Sequence, residues 1–132
     1  MRSTRRSFVF GIAAGAIAIS LGLGAGVVQA HHGWAWAEDE FSEIEGTILS
    51  VYLGNPHASL EVDVDGETWN VELAPPRATA SAGFVEGVAA EGDAVTAVGH
   101  RSRNPGERNF KAVRIVVGDD VYDVYPRRLP AD

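Results

Sequence analysis

The sequence predicts a mainly β protein: a small OB-like barrel of five to six strands with one short helix, preceded by a signal peptide. Three observations carry this. Residues 58–64 and 67–73 alternate apolar and polar side chains on either side of Asp65-Gly66, a two-residue hairpin signal. Short apolar runs broken by Gly, Pro and Asp fill most of the chain beyond residue 40. The first 30 residues read as a basic start, an apolar run and a processing site in that order.

The export signal, 1–30, begins with Arg2, Arg5 and Arg6, and the run from Phe8 to Val28 carries no charge. Thr4-Arg5-Arg6-Ser7-Phe8-Val9 resembles the twin-arginine pattern, with general secretory export as the alternative. An uncleaved anchor also fits a charge-free run of about 18 residues or more. Small residues dominate the run and Val28-Gln29-Ala30 ends it, so removal is the expectation. The body then lies outside the cytoplasm, periplasmic or secreted, with no membrane contact after cleavage.

Residues 31–40 read as an extended leader, and 41–125 as the barrel domain. The first strand, 41–53, shifts phase from Ile44 and Ile48 to Leu49, Val51 and Leu53 near Gly46, which predicts a bulge or a coiled strand. Ala58, Leu60, Val62 and Val64 form the inward face of the second strand, and Trp69, Val71 and Leu73 that of the third. Pro75-Pro76 stops the third strand, and a short helix is expected near 76–83. Gly92-Asp93 introduces a strand at 94–101, the loop 103–107 leads to another at 109–117, and Gly118-Asp119-Asp120 turns into a last one at 121–125. The tail, 126–132, reads as frayed. Three strands, a helical connection and two or three more strands match the OB barrel; an open sandwich with the same strand order is the alternative.

Charge and composition narrow the partners. Of 11 Lys and Arg, three lie in the signal and none of the 18 Asp and Glu do, so the processed chain carries 8 − 18 = −10. That balance argues against nucleic acid as a partner, because binding it means neutralising phosphates with cations. The chain has no cysteine and its only methionine is Met1, so thiolate and thioether ligation are both unavailable to the processed protein. A bound metal must take nitrogen and oxygen donors.

The nitrogen donors are the four histidines, His31, His32, His57 and His100. Cleavage after Ala30 exposes an α-amine on His31, and amine plus imidazole chelate one ion, as in copper histidine-brace sites. The amine, an amide nitrogen and the ring of His32 form a planar alternative. Either arrangement needs a further ligand, supplied by His57 on its proline-set corner or by His100 at the close of a strand. Nitrogen-rich tetragonal sites favour copper(II), while imidazole also suits zinc. Glu38, Asp39 and Glu40 add nearby negative charge.

Trp34 and Trp36 share a face of the leader and are expected to clamp it onto the barrel. Arg101, Arg103, Arg108, Lys111 and Arg114 cluster on one hairpin, which reads as a solvated basic face able to dock an acidic partner. No Ser-His-Asp spacing, phosphate loop or nucleotide fingerprint occurs, so an enzyme is the less favoured reading; an oxidative copper enzyme would share the terminal histidine.

His31-His32-Gly33, the strand motif Glu45-Gly46-Thr47-Ile48, the turn Asn55-Pro56-His57-Ala58, and Gly92 to His100 together resemble an uncharacterised family of small exported bacterial proteins. Those proteins begin their processed chains with His-His-Ser and carry an Asn-Pro-His-Ala turn. Gly33 stands where serine is commoner, and the basic loop after His100 is longer. The resemblance implies export and architecture, and places the family's histidines on His31, His32 and His57. The function expected from the residues is an exported metal-binding protein, copper(II)-loaded through its mature terminus, in metal handling. The alternative is a non-metal barrel module docking a periplasmic protein or envelope component.

Overall fold

The first strand, β1 (Ser42–Tyr52), serves two neighbours because it bends. Its first half, Ser42–Thr47, pairs antiparallel with β4 (Ala94–Arg101), and its second half, Thr47–Tyr52, pairs with β2 (Ser59–Val64). The bend falls where the phase shift lies: Ile48 opposes Val62 and Ser50 opposes Glu61, leaving Leu49 as the extra residue of a bulge. Gly46 permits the close crossing, since a Cβ there would collide with the Asp63 carbonyl oxygen. The structure, a computed structural model, describes residues 33–131. The expected export signal, 1–30, and His31 and His32 lie outside the described residues.

β2 runs into β3 (Glu67–Glu72) through Asp65 and Gly66, whose φ angles of 53° and 86° are the two left-handed positions of a tight hairpin turn. The Asp63 carboxylate accepts the Gly66 N–H at 2.8 Å. After β3, α1 (Pro76–Ser81) is a single short helix with proline in its first turn, held by the buried Thr79 hydroxyl donating to the Ala74 carbonyl. It ends earlier than the expected 76–83 because Gly83 turns left-handed, which sends Phe84 into the core against Tyr122.

β5 (Asn109–Val117) pairs with β4 on one side and with β6 (Asp120–Asp123) on the other. Three parallel register pairs, Asn70–Asn109, Val71–Phe110 and Glu72–Lys111, join β3 to β5. The strand order β3-β2-β1-β4-β5 thus closes on itself, with β6 added outside the circle. That closure is the OB topology, and it replaces the open-sandwich alternative. Ile48, Leu60, Val71, Leu73, Phe110 and Ile115 fill the interior with no measurable exposure.

Two expectations for the chain ends are corrected. The part of the leader that is described, from Gly33, is a turn and not an extended segment: the Ala37 N–H donates to the Trp34 carbonyl at 3.0 Å. Ala37 bridges to Ser102, and the Arg103 N–H donates to the Trp36 carbonyl at 2.9 Å. Folding back buries Trp36, and the apolar area of an indole outweighs the loss of chain freedom. The tail does not fray from its start either. Pro126–Arg128 forms a 3-10 turn, and the Arg128 guanidinium carbon lies 3.8 Å from the centre of the Trp34 ring. Among the described residues no helix is long and apolar enough to cross a membrane.

Candidate functional site

Strand alternation dictates which side chains leave the barrel. Phe110 and Ala112 of β5 point into the core, so Lys111 between them points out, as Glu72 does between Val71 and Leu73. The register then lines up a transverse row on the outer surface. His100 opposes Lys111 across β4 and β5, Lys111 opposes Glu72 across β5 and β3, and Glu72 opposes Ser59, two residues after His57.

Outward-facing does not mean solvated. Lys111 has no exposed surface, because the leader turn and the tail cover it. Its Nζ lies 5.1 Å from the centre of the Trp34 ring and 5.4 Å from that of Tyr125. Trp34 meets Tyr125 edge-on at 4.8 Å, and the Arg128 guanidinium also lies over the indole. Beneath this cover Lys111 donates to Glu72 Oε1 at 2.5 Å. His57 Nδ1 lies 3.3 Å from that same oxygen, with the His57 side chain 23% exposed. One carboxylate oxygen therefore faces both an ammonium and an imidazole.

The environment acts on these groups in opposite senses. Burial, above all, lowers the Lys111 ammonium pKa; the hydrogen bond and charge of Glu72 oppose this, and Arg128 adds to it. Burial raises the Tyr125 phenol, Glu72 raises it further, and Arg128 pulls it back. The cluster is thus a low-dielectric patch in which Glu72 is the only acid contacting Lys111 in the row.

The four candidate histidines separate. His31 and His32 precede the described residues. His57 lies two residues before β2, next to a cis Asn55–Pro56 bond, and its Nδ1 is 3.3 Å from Glu72 Oε1. His100 is 7% exposed; its Nδ1 sits 2.9 Å from the Glu40 carbonyl oxygen, and its ring packs against Phe41 and the edge of Trp34. His57 and His100 thus lie on opposite sides of the Lys111–Glu72 pair. Among the described residues no group of three His, Cys, Asp or Glu side chains converges as a metal site.

The basic hairpin differs from its expected form. Arg103 pairs with Asp39, Arg108 with Glu67, Arg114 with Asp123, and Lys111 with Glu72. Four of its five cations are held by this chain's own carboxylates, and the fifth, Arg101, lies over Trp69. Arg101, Arg103 and Arg108 are exposed as expected, but the surface is charge-balanced, and Lys111 is the one member of the set that is buried.

A family model matches residues 20–111, about 70% of the chain. The chain belongs to DUF6152, a family of unknown function. The matched span contains His31, His32, His57, Glu72, His100 and Lys111, and ends before Tyr125 and Arg128. No curated protein matches the chain.

Sequence reasoning singled out the histidines, passed over Glu72, Tyr125 and Arg128, and read Lys111 only as part of a solvated basic face. A lysine between Phe110 and Ala112 reads as solvent-facing on alternation alone. The usable signal was the leader: two tryptophans that clamp must cover some sheet face, and whatever polar residue lies beneath them needs a partner.

Proposed function

We propose that this protein is an exported metal-binding domain that takes up copper(II) at its processed amino terminus and serves metal handling rather than turnover. The His31 amine and imidazole, with His32, form the nitrogen chelate, and the barrel supplies the remaining donor. Zinc is the substitute that the same imidazoles would accept.

One observation carries this reading. Trp34, three residues after His31, is anchored over Lys111, which holds the carboxylate that His57 faces. Trp34 thus ties the start of the described chain to the patch of sheet that holds His100, Lys111 and Glu72, and His31 precedes Trp34 by three residues. The acidic balance of the processed chain favours a cation in the same region. The docking-module alternative rested on the basic hairpin and the tryptophans, and both are engaged within this chain.

The test uses protein processed to begin at His31, titrated with copper(II) and followed by electron paramagnetic resonance. Nitrogen hyperfine structure at one-to-one stoichiometry is expected, and one added residue before His31 abolishes that spectrum. No binding, or a spectrum indifferent to the added residue, overturns the proposal.

A further inference from the structure

We infer that the end of the barrel opposite α1 is a sugar-binding cleft, in which Arg101 and Glu38 hold neighbouring hydroxyls of a neutral oligosaccharide. This goes beyond copper binding and stands or falls apart from it.

Strand direction sets the place. β1, β3 and β5 begin at this end and β2 and β4 finish there, since each antiparallel neighbour runs the other way. Trp69 of β3 belongs to the core and fills the mouth, 7% exposed. Arg101 opposes the inward-pointing Phe110, so it shares the inward face at the last position of β4. A guanidinium cannot enter an apolar core, and it lies instead over the Trp69 ring, 5.2 Å from its centre. The Arg108 guanidinium lies 5.6 Å from the same ring.

Stacking leaves the edge of a guanidinium unused. The ring meets its flat face, whereas the N–H donors lie in the plane. Arg108 directs its donors to Glu67 and to the Pro105 carbonyl. Among the described residues the Arg101 donors meet no acceptor, although Glu38, Glu67 and Glu107 line the same cleft. The Glu38 N–H donates to the Arg101 carbonyl at 2.8 Å, yet the two charged ends do not pair. An unused donor fork and an unused carboxylate thus share one cleft of about 290 Å³.

That combination narrows the ligand. An anion meets three carboxylates there and a cation meets two guanidiniums, so either charge is opposed. Neighbouring hydroxyls suit both groups: one oxygen accepts from Arg101 while the next O–H donates to Glu38. Pro105 and the exposed part of Trp69 offer apolar surface to the C–H side of a sugar ring. The volume lies near the lower end of small-ligand sites, about 300 Å³, which suits a single ring. Arg101 also lines an adjoining cleft of about 440 Å³ with Val64 and Asp65, where the next sugar has room.

Isotope-labelled protein titrated with cellotetraose, maltotetraose and chitotetraose tests this, with tetragalacturonate as the anionic probe. At least one neutral tetramer should move the Trp69 indole N–H and Arg101 Nε–H resonances along a saturating curve. Arg101→Lys keeps the charge and loses the fork, and should weaken that binding about tenfold or more. Glu38→Ala should weaken it similarly, and Arg77→Ala, on α1 at the other end, should leave it unchanged. Neither Arg101 nor Glu38 is buried, so these variants keep the fold. Tighter binding of tetragalacturonate, improved by Glu38→Ala, overturns the neutral-sugar assignment. No saturable shift with any neutral tetramer, or binding indifferent to Arg101→Lys, overturns the site itself.

Discussion

Two ion pairs, one from β3 to β5 and one from β3 to the residue just before β5, look alike in sequence and behave differently in the fold. Glu67 and Arg108 meet at the surface in a two-pronged contact, 2.6 and 3.2 Å. Glu72 and Lys111 meet under an aromatic cover. In the first pair the hydrogen bond and attraction dominate, so Glu67 is pushed down and Arg108 up, each toward its charged form. In the second, burial dominates and pushes Lys111 toward its neutral form despite the acid beside it. The comparison teaches that a pair's worth depends on what lies over it. Solvent screens the outer pair, so losing it costs little. The inner pair is expensive to assemble and worse to leave half made.

The largest effect expected from this contrast is on stability. Lys111→Met should destabilise the domain by about 3 kcal/mol, because Glu72 keeps its charge beneath the leader without its cation. The double change Lys111→Met with Glu72→Leu should recover most of that loss, since a well-packed apolar pair replaces an ionic one. Urea midpoints of the wild type and both variants check this. A single variant as stable as the wild type would break the comparison.

A smaller effect lies in the pH dependence. The folded pKa of Lys111 is depressed below its ordinary 10.5. Between that depressed value and 10.5 the unfolded chain binds the proton that the folded chain has released, so stability rises with pH across this window. Tyr125 opposes it at higher pH: its raised pKa keeps the folded phenol protonated while the unfolded one ionises above 10, so stability falls there. Subtracting the urea-midpoint profile of Lys111→Met from that of the wild type isolates the rising limb. A flat difference would show that burial leaves the amine unperturbed.

The smallest effect belongs to the outer pair. Glu67→Gln should leave the urea midpoint unchanged at physiological salt, because the charges it separates are already in water. A loss as large as that of Lys111→Met would erase the distinction between the two pairs.

Much of the barrel was legible because local signals agreed. The hairpin at Asp65-Gly66, the strands 94–101 and 109–117, and the bend near Leu49 all follow from alternation and turn chemistry. The parallel seam between β3 and β5 was not legible, since no local pattern announces a contact between residues about 40 positions apart. The candidate site divides the same way. His57 stood out on its proline corner, whereas Lys111 was read with its arginine neighbours as solvated. What separates it from them is the return of the leader and tail over one patch of sheet, and that depends on Trp34, Tyr125 and Arg128 meeting across nearly the whole chain.

The β3–β5 seam spans only three register pairs, yet it shuts the circle and carries Glu72 and Lys111 at one end. A breathing motion that parts the seam and lifts Trp34 and Tyr125 with it would bring the lysine amine out of its enclosure. Acylating reagents that ignore the amine in the closed ring would then find it, and their rate would time how often the circle parts.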